Sequence, residues 1–492
     1  MELIWKEIEA ERLICRTKEQ VSINGVLPSP DGRTPREIPG CTAKVVIDEA
    51  ATGTDMVNVR GRICVSVTAI DESGVPFAFE SAAKFTHEME AKNAMAGMTA
   101  EVRPVIQSLT VTPSPEGGIL SASVDMELIV VNDAPLRVTG GISGVEDLET
   151  KYEKVCVCRR VQVGREDLRL REEIAAEGVE DVISAEGAVC VRETVFEQGA
   201  ATVSGTVTVS AVTLDGSGRM AQIVRQIPFR ERIAVDSKAG GLYCTAELGS
   251  LYLRALGAEF AVIAMEAEIG FTVYGIQKSE LELPVDAFSP TIAFDCLKED
   301  ITFISHTGAA AAQTTIRETV YLPASAPEIA SPLFAFARPV ITEAAAENGT
   351  LNISGVLLTT VVYESDTGRS YTFMDEIPFE AVTEAGADVD RADVESSCTA
   401  SITGYDTGSV QVQYNLVTET QFSREIRCSA AVGLAETERK EKSSGIVVCF
   451  ASEGETAFDA AKRWSVPSAD VRKINPDAEE PYKEGQGLII LL

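Results

Sequence analysis

The chain has 492 residues, with 43 Lys and Arg against 75 Asp and Glu, which gives a formal net charge of −32. So acidic a chain excludes nucleic acid and an anionic membrane surface as main partners, because both are gripped by clustered cations. With 45% hydrophobic residues it can still bury several cores, and its length fits three or four domains of about 150 residues.

The first residues, 1–9, lack the cationic start and apolar centre of a secretory signal, and no stretch reaches the about 18 apolar residues of a membrane-spanning helix. A protein made and kept in the cytosol is the expectation, with no membrane span. Three copies of one pattern then follow. Strictly alternating residues run through 57–68 (Val57, Val59, Gly61, Ile63, Val65 and Val67 on one side), as a half-buried strand requires. The same alternation returns at 201–210 around Gly205 and at 351–357 around Gly355; the three glycines are 144 and 150 residues apart.

The register inside each copy is constant. Sixteen residues before each glycine a short apolar segment begins, at Val45, Val189 and Pro339. Thirteen residues after it stands another glycine, Gly74, Gly218 or Gly368, preceded by Asp71, Asp215 or Asp366, which is hairpin-turn chemistry. Eleven residues later comes an aromatic, Phe85, Phe229 or Phe379. A second alternating block closes each copy, at 119–130, 260–269 and 410–416. The expected fold is mainly β: three repeated antiparallel β-sandwich-like modules at 1–150, 151–297 and 298–438, the third the most diverged. The Asp-rich turns hold too few carboxylates for a calcium cage.

After Leu434 the pattern breaks into a charged stretch, with a linker expected at 439–445 and a separate domain at 446–492. There, the apolar strand 446–450 precedes a turn, and Thr456 with Asp459 has the spacing of a capping box that opens a helix with Ala457, Ala460, Ala461 and Trp464 on its apolar face. Pro467 and Ser468 start a second short helix, with Val471 and Ile474 inward, which Asn475 and Pro476 end. Strand 488–491 closes a small β-α-α-β domain.

No catalytic constellation is evident, and the chain reads as non-enzymatic, with neither cofactor nor metal. Only two histidines exist: His87, on the strand beyond Phe85, and His306, entering the Ala-rich segment 309–312 as into a loop. Both read as satisfied structural side chains. The 11 cysteines include no CxxC pair; Cys156 and Cys158 share a strand face but have no second pair at ligand spacing, so reduced thiols are expected. The acidic run of Glu376, Glu380, Glu384, Asp388, Asp390, Asp393 and Glu395 reads as a solvated face, with a docking surface for a basic partner as the other reading.

The C-terminal domain resembles the LysM family through Gly454, Glu455 and Thr456, the segment 460–464, Val466, Val471, Ile474, Asn475 and Pro476, and the segment 485–490. The resemblance implies binding of N-acetylglucosamine polymers between two loops, here Gly454, Glu455 and Thr456 and then Asn475, Pro476 and Asp477. The net charge of 445–492, five Lys and Arg against eight Asp and Glu, gives no bias toward an acidic polymer. A docking module for protein is the other use of the same loops. The whole arrangement resembles SPOCS-domain spore coat morphogenetic proteins of the SipL type, from endospore-forming bacteria. The residues that carry this are 20–31, Val59, Arg60 and Gly61, and 285–290. It implies a scaffold made in the mother cell and placed at the forespore surface in the spore coat, whose LysM domain docks onto a coat morphogenetic ATPase or another coat protein. The alternative is a peptidoglycan-binding protein of the cortex or cell wall.

Overall fold

The computed structural model describes residues 2–29, 32–143, 147–197, 199–236, 240–256, 261–386, 389–437 and 444–492. Pro30 and Asp31 of the first resemblance segment, Phe260, Asp388 of the acidic run and most of the expected linker lie outside the described residues.

The chain is mainly β, built from repeated antiparallel sheets and a small C-terminal domain with two helices. The first set of strands is β1 (Glu2–Ile8), β2 (Arg12–Pro28), β3 (Pro35–Thr52), β4 (Met56–Asp71), β5 (Pro76–Glu90), β6 (Thr99–Ser114), β7 (Gly117–Asn132) and β8 (Leu136–Ser143). The second is β9 (Glu149–Ala175), β10 (Val179–Glu197), β11 (Ala200–Asp215), β12 (Met220–Ala234), β13 (Gly240–Ala255) and β14 (Val262–Phe288). The third is β15 (Phe294–Tyr321), β16 (Ile329–Glu347), β17 (Thr350–Ser365), β18 (Ser370–Glu384), β19 (Arg391–Tyr405) and β20 (Ser409–Glu436).

Each set makes one sandwich. Three strands in hairpin order form one sheet (β3-β4-β5, β10-β11-β12, β16-β17-β18), and three others form the opposing layer (β2-β7-β6, β9-β14-β13, β15-β20-β19), the first and third of these layers joining through β2 and β15 into one six-stranded sheet. The alternation explains the layering. Val57, Val59, Ile63, Val65 and Val67 of β4 are buried against Leu120, Val124, Met126 and Leu128 of β7, and the equivalent faces make the cores of the other two modules.

The glycine and aromatic found at constant offsets meet across the hairpin sheet: Gly61 pairs with Phe85, Gly205 with Phe229, and Gly355 with Phe379. On the other side each glycine faces a β-bulge, between Ile47 and Glu49, Val191 and Glu193, or Ile341 and Glu343. A bulge bends its strand inward, and the ring covers the glycine from above; a Cβ at Gly205 would lie 2.1 Å from the Cys190 carbonyl oxygen and 2.6 Å from Phe229 Cζ. Space, rather than an unusual φ, requires glycine here.

The turns follow the expectation with one correction. Gly74, Gly218 and Gly368 adopt φ of 82°, 80° and 70°, and the Asp71 and Asp215 carboxylates each accept two backbone N–H groups. In the third copy the equivalent position is Ser365, whose hydroxyl meets Thr367, so Asp366 is not the turn acceptor.

The modules are joined by unusually long antiparallel strand pairs. β9 and β14 pair over their whole 27-residue lengths, as do the 28-residue β15 and β20, while β1 with β2 and β8 with β7 do the same work in two pieces. The stems of all three converge on one core of Ile8, Val138, Val157, Leu283, Ile301 and Phe303. A second shared core, including Ile70, Val212, Met220, Phe334 and Val362, ties the three hairpin sheets together. Polar clamps reinforce both. Gln222 donates to the Ala335 carbonyl (2.9 Å) and accepts from its N–H (3.2 Å), and Arg103, Arg391, Glu127 and Asp393 form an ion-pair network between the first and third modules. Asp393 of the acidic run is therefore an internal strut, whereas Glu376, Glu380, Glu384, Asp390 and Glu395 are exposed.

His306 corrects another expectation: residues 309–312 are not a loop but the middle of β15, paired with 418–421 of β20. His306 Nε2 lies 3.2 Å from Glu11, and His87 Nε2 lies 3.0 Å from Glu19. Burial works to raise the Glu11 carboxyl, but the hydrogen bond and charge of His306 with the charges of Arg159 and Arg160 hold it below the ordinary value. All eleven cysteines are free thiols, and among the described residues no group of three or more His, Cys, Asp and Glu is placed to hold a metal ion. No described helix is long and apolar enough to cross a membrane.

Candidate docking site on the C-terminal module

The C-terminal domain is β21 (Ile446–Phe450), α1 (Ala457–Trp464), α2 (Ser468–Ile474) and β22 (Gly487–Leu491), with β21 and β22 antiparallel. Asp459 accepts from both the backbone N–H (3.0 Å) and the hydroxyl (2.7 Å) of Thr456, which fixes the start of α1. Ser465 in the left-handed conformation ends it, and Val466 turns back into the core. Ala457, Ala460, Ala461, Val471, Leu488 and Ile490 fill the space between helices and sheet.

The six residues of the two expected binding loops divide sharply. Gly454, Pro476 and Asp477 are exposed, while Glu455, Thr456 and Asn475 are half-buried. Glu455 accepts the Ser452 N–H (2.8 Å) and pairs with Arg463 (2.8 Å). Asn475 donates to the carbonyls of Val471 and Ile489 (both 2.8 Å) and accepts the Ile489 N–H (2.7 Å), so its amide ties α2 to β22. The loops are also zipped to the chain between them and the sheet: Gly454 N–H donates to the Tyr482 carbonyl, Tyr482 N–H to the Glu455 carbonyl (2.7 Å), and Ala457 N–H to Glu480 (3.0 Å). Glu480 also accepts from Arg472 (2.7 Å), and this hydrogen bond raises the arginine's pKa. Most polar groups of the two loops thus serve the fold.

The helical side rests on the second module. The Phe458 ring meets Phe288 edge to face with centroids 5.0 Å apart, Lys151 pairs with Asp459 (2.9 Å), Lys462 with Asp286, and Ser468 N–H donates to Glu149 (2.8 Å). Burial works to raise the Asp459 carboxyl, but its hydrogen bonds with Thr456 and Lys151 hold it below the usual range. The seat includes the closing segment 285–290 of the second copy, a use that its sequence did not announce.

The opposite side is bare. In register, Ile446 faces Leu491 and Val448 faces Ile489, with Phe450 beside Gly487, and these five large side chains are 42–72% exposed. They form one continuous apolar face on a two-stranded sheet whose other face is the core. Soluble surfaces seldom leave such a patch uncovered unless something binds there. The sequence carried a signal for it: 446–450 and 488–491 are apolar without alternation, unlike the strands of the three modules, and a two-stranded sheet with helices on one side only cannot bury both faces.

No family model matches the chain, and neither a curated protein nor a solved structure matches it.

Proposed function

We propose that the protein is a non-enzymatic scaffold of the bacterial endospore coat, acting in the mother cell at the forespore surface, and that its C-terminal LysM-like domain docks onto a coat morphogenetic ATPase. The observation that carries the docking role is the apolar sheet face of Ile446, Val448, Phe450, Ile489 and Leu491. Three modules on one chain add multivalency, so that several weak contacts in a shell sum to firm retention. The alternative, peptidoglycan binding through Gly454, Glu455, Thr456, Asn475, Pro476 and Asp477, has less support, because the side chains of Glu455 and Asn475 are already occupied inside the domain.

The test is a pull-down of the full-length chain by the coat ATPase, beside co-sedimentation with purified peptidoglycan. Val448→Ser with Phe450→Ser is expected to abolish retention by the ATPase while leaving the melting profile unchanged. Retention equal to wild type would reject this face as the docking surface. Sedimentation with peptidoglycan that survives the double substitution, with no ATPase retention by either protein, would favour the glycan reading.

A further inference from the structure

Where the three modules meet, they enclose an open cavity of about 1130 Å³, walled by β3 and β6 of the first, β10 and β13 of the second and β16 to β20 of the third. This exceeds the 300–1,000 Å³ or so of ordinary small-molecule sites. Equivalent positions of the three repeats converge on it: Thr42, Glu186 and Phe336 at one level of the opening hairpin strand, and Lys44, Ala188 and Arg338 two residues on.

Its charges are unbalanced. Six wall residues carry carboxyls (Glu186, Glu247, Asp375, Glu376, Glu395 and Glu419) against two cations. Both cations are engaged: Lys44 pairs with Glu247 (2.7 Å), and Arg338 donates to the backbone carbonyls of Ile106 and Gln107. Glu186 and Glu419 have no cationic partner among the described residues, although Glu419 accepts a hydrogen bond from the Ala246 backbone. Each has an enclosed Oε1 without a hydrogen bond, and both residues are half-buried and line the cavity. A native fold rarely leaves two buried carboxyl oxygens unpartnered around a cavity large enough to fill.

We infer that this cavity binds an organic cation with an apolar body, most simply a linear diamine, whose ammonium groups pair with Glu186 and Glu419. The rest of the wall decides between this and a bare metal ion. Leu109, Val111, Val189, Leu248 and Val417 offer apolar surface but no ligands, and the described residues hold no metal-ligating group of three. Burial raises the empty carboxyls, Glu186 to about 8 and Glu419, with Glu395 and Glu247 nearby, to about 7. The neighbouring thiols stay protonated, Cys398 through burial and the charge of Glu186, and Cys41 through burial to about 11. An arriving ammonium group therefore displaces carboxyl protons, and affinity rises from pH 6 to pH 8. The inference is independent of the coat role.

The experiment is isothermal titration of the full-length chain with 1,8-diaminooctane, 1,8-octanediol and Mg²⁺, in buffers of different ionisation enthalpy. The diamine is expected to bind saturably, at least tenfold tighter than the diol, with net proton release at pH 7. Glu186→Gln with Glu419→Gln is expected to weaken it at least tenfold while the far-UV spectrum is unchanged. Should that variant fail to fold, Thr42→Trp, which narrows the cavity beside Glu186 and leaves both carboxyls, is expected to weaken binding. Equal affinity for the diol, binding of Mg²⁺ alone, a water-filled void that takes up none of the probes, or full diamine affinity in the substituted chains would overturn the inference.

Discussion

Replacing Gly205 by alanine is the sharpest test of how the repeats are built. The new methyl would sit 2.1 Å from the Cys190 carbonyl oxygen and 2.6 Å from Phe229 Cζ, where ordinary contact begins above 3.4 Å. The ring can swing aside, but the carbonyl belongs to a strand pinned by the adjacent bulge and by 16 register pairs along β10 and β11. Relief therefore means moving backbone by about an ångström in the centre of a core, and overpacking of that kind costs about 3 kcal/mol, at the upper end of its usual range. That is a sizeable part of the 5–15 kcal/mol or so available to a domain. The equivalent glycines face their carbonyls at 2.3 Å (Gly355) and 2.5 Å (Gly61), so the cost should fall in the order Gly205, Gly355, Gly61. Urea unfolding of the full chain, followed by the midpoint, measures it. Adding Phe229→Leu removes the ring contact and should recover less than half of the loss, because the carbonyl remains. A Gly205→Ala midpoint within about 0.5 kcal/mol of wild type, or full rescue by Phe229→Leu, would refute the close strand approach.

Glu186→Gln should flatten the pH dependence of stability. The native carboxyl titrates near 8 against 4.5 unfolded, so the folded state holds the extra proton between these values and wild-type stability falls as pH rises through that window. The variant should match wild type below pH 4.5 and exceed it by up to about 5 kcal/mol above pH 8, at about 1.4 kcal/mol per pH unit, as urea midpoints from pH 4 to 9 would register. Phe458→Ala removes the ring that meets Phe288, a loss of about 3 kcal/mol at the seat, and limited proteolysis should then release the C-terminal domain while the three modules stay intact. Asn475→Ala deletes two hydrogen bonds between the end of α2 and β22 and a third to the Val471 carbonyl within α2, and should destabilise the C-terminal domain by about 2–3 kcal/mol, so a loss of glycan binding in this variant would have to be read beside its circular dichroism spectrum.

The local architecture was legible because each strand of a sandwich has one dry and one wet face, and period-two alternation around Gly61, Gly205 and Gly355 records that directly. The same holds for α1, whose capping box is written in Thr456 and Asp459. What escaped was set by contacts between modules. In isolation Glu186 is a polar residue on a hairpin strand and reads as solvated; only the other two modules bury it. The Ala-rich segment 309–312 has weak strand propensity and is held extended by its pairing with residues of β20 more than 100 positions away. The apolar runs 446–450 and 488–491 marked both faces of their sheet as apolar, but which face stays open was set by the two helices, which cover only one.

Three copies on one chain permit what a symmetric trimer of identical subunits could not. In a trimer, every position facing the common centre would appear three times, and three glutamates at the level of Glu186 would repel one another or stay protonated together. Here the three equivalent positions are Thr42, Glu186 and Phe336, and the level two residues on mixes Lys44, Ala188 and Arg338. The glycine, bulge and aromatic that shape each sheet recur in all three copies, because each sheet must be built in the same way. The residues that face the shared space differ, because that space exists once. Unlike residues at equivalent positions of the common centre, on a framework whose glycine, bulge and aromatic recur, are what a single asymmetric site assembled from three modules would require. The C-terminal domain adds a second asymmetry: it sits on the stem of the second module, so its exposed apolar sheet face occurs once per chain.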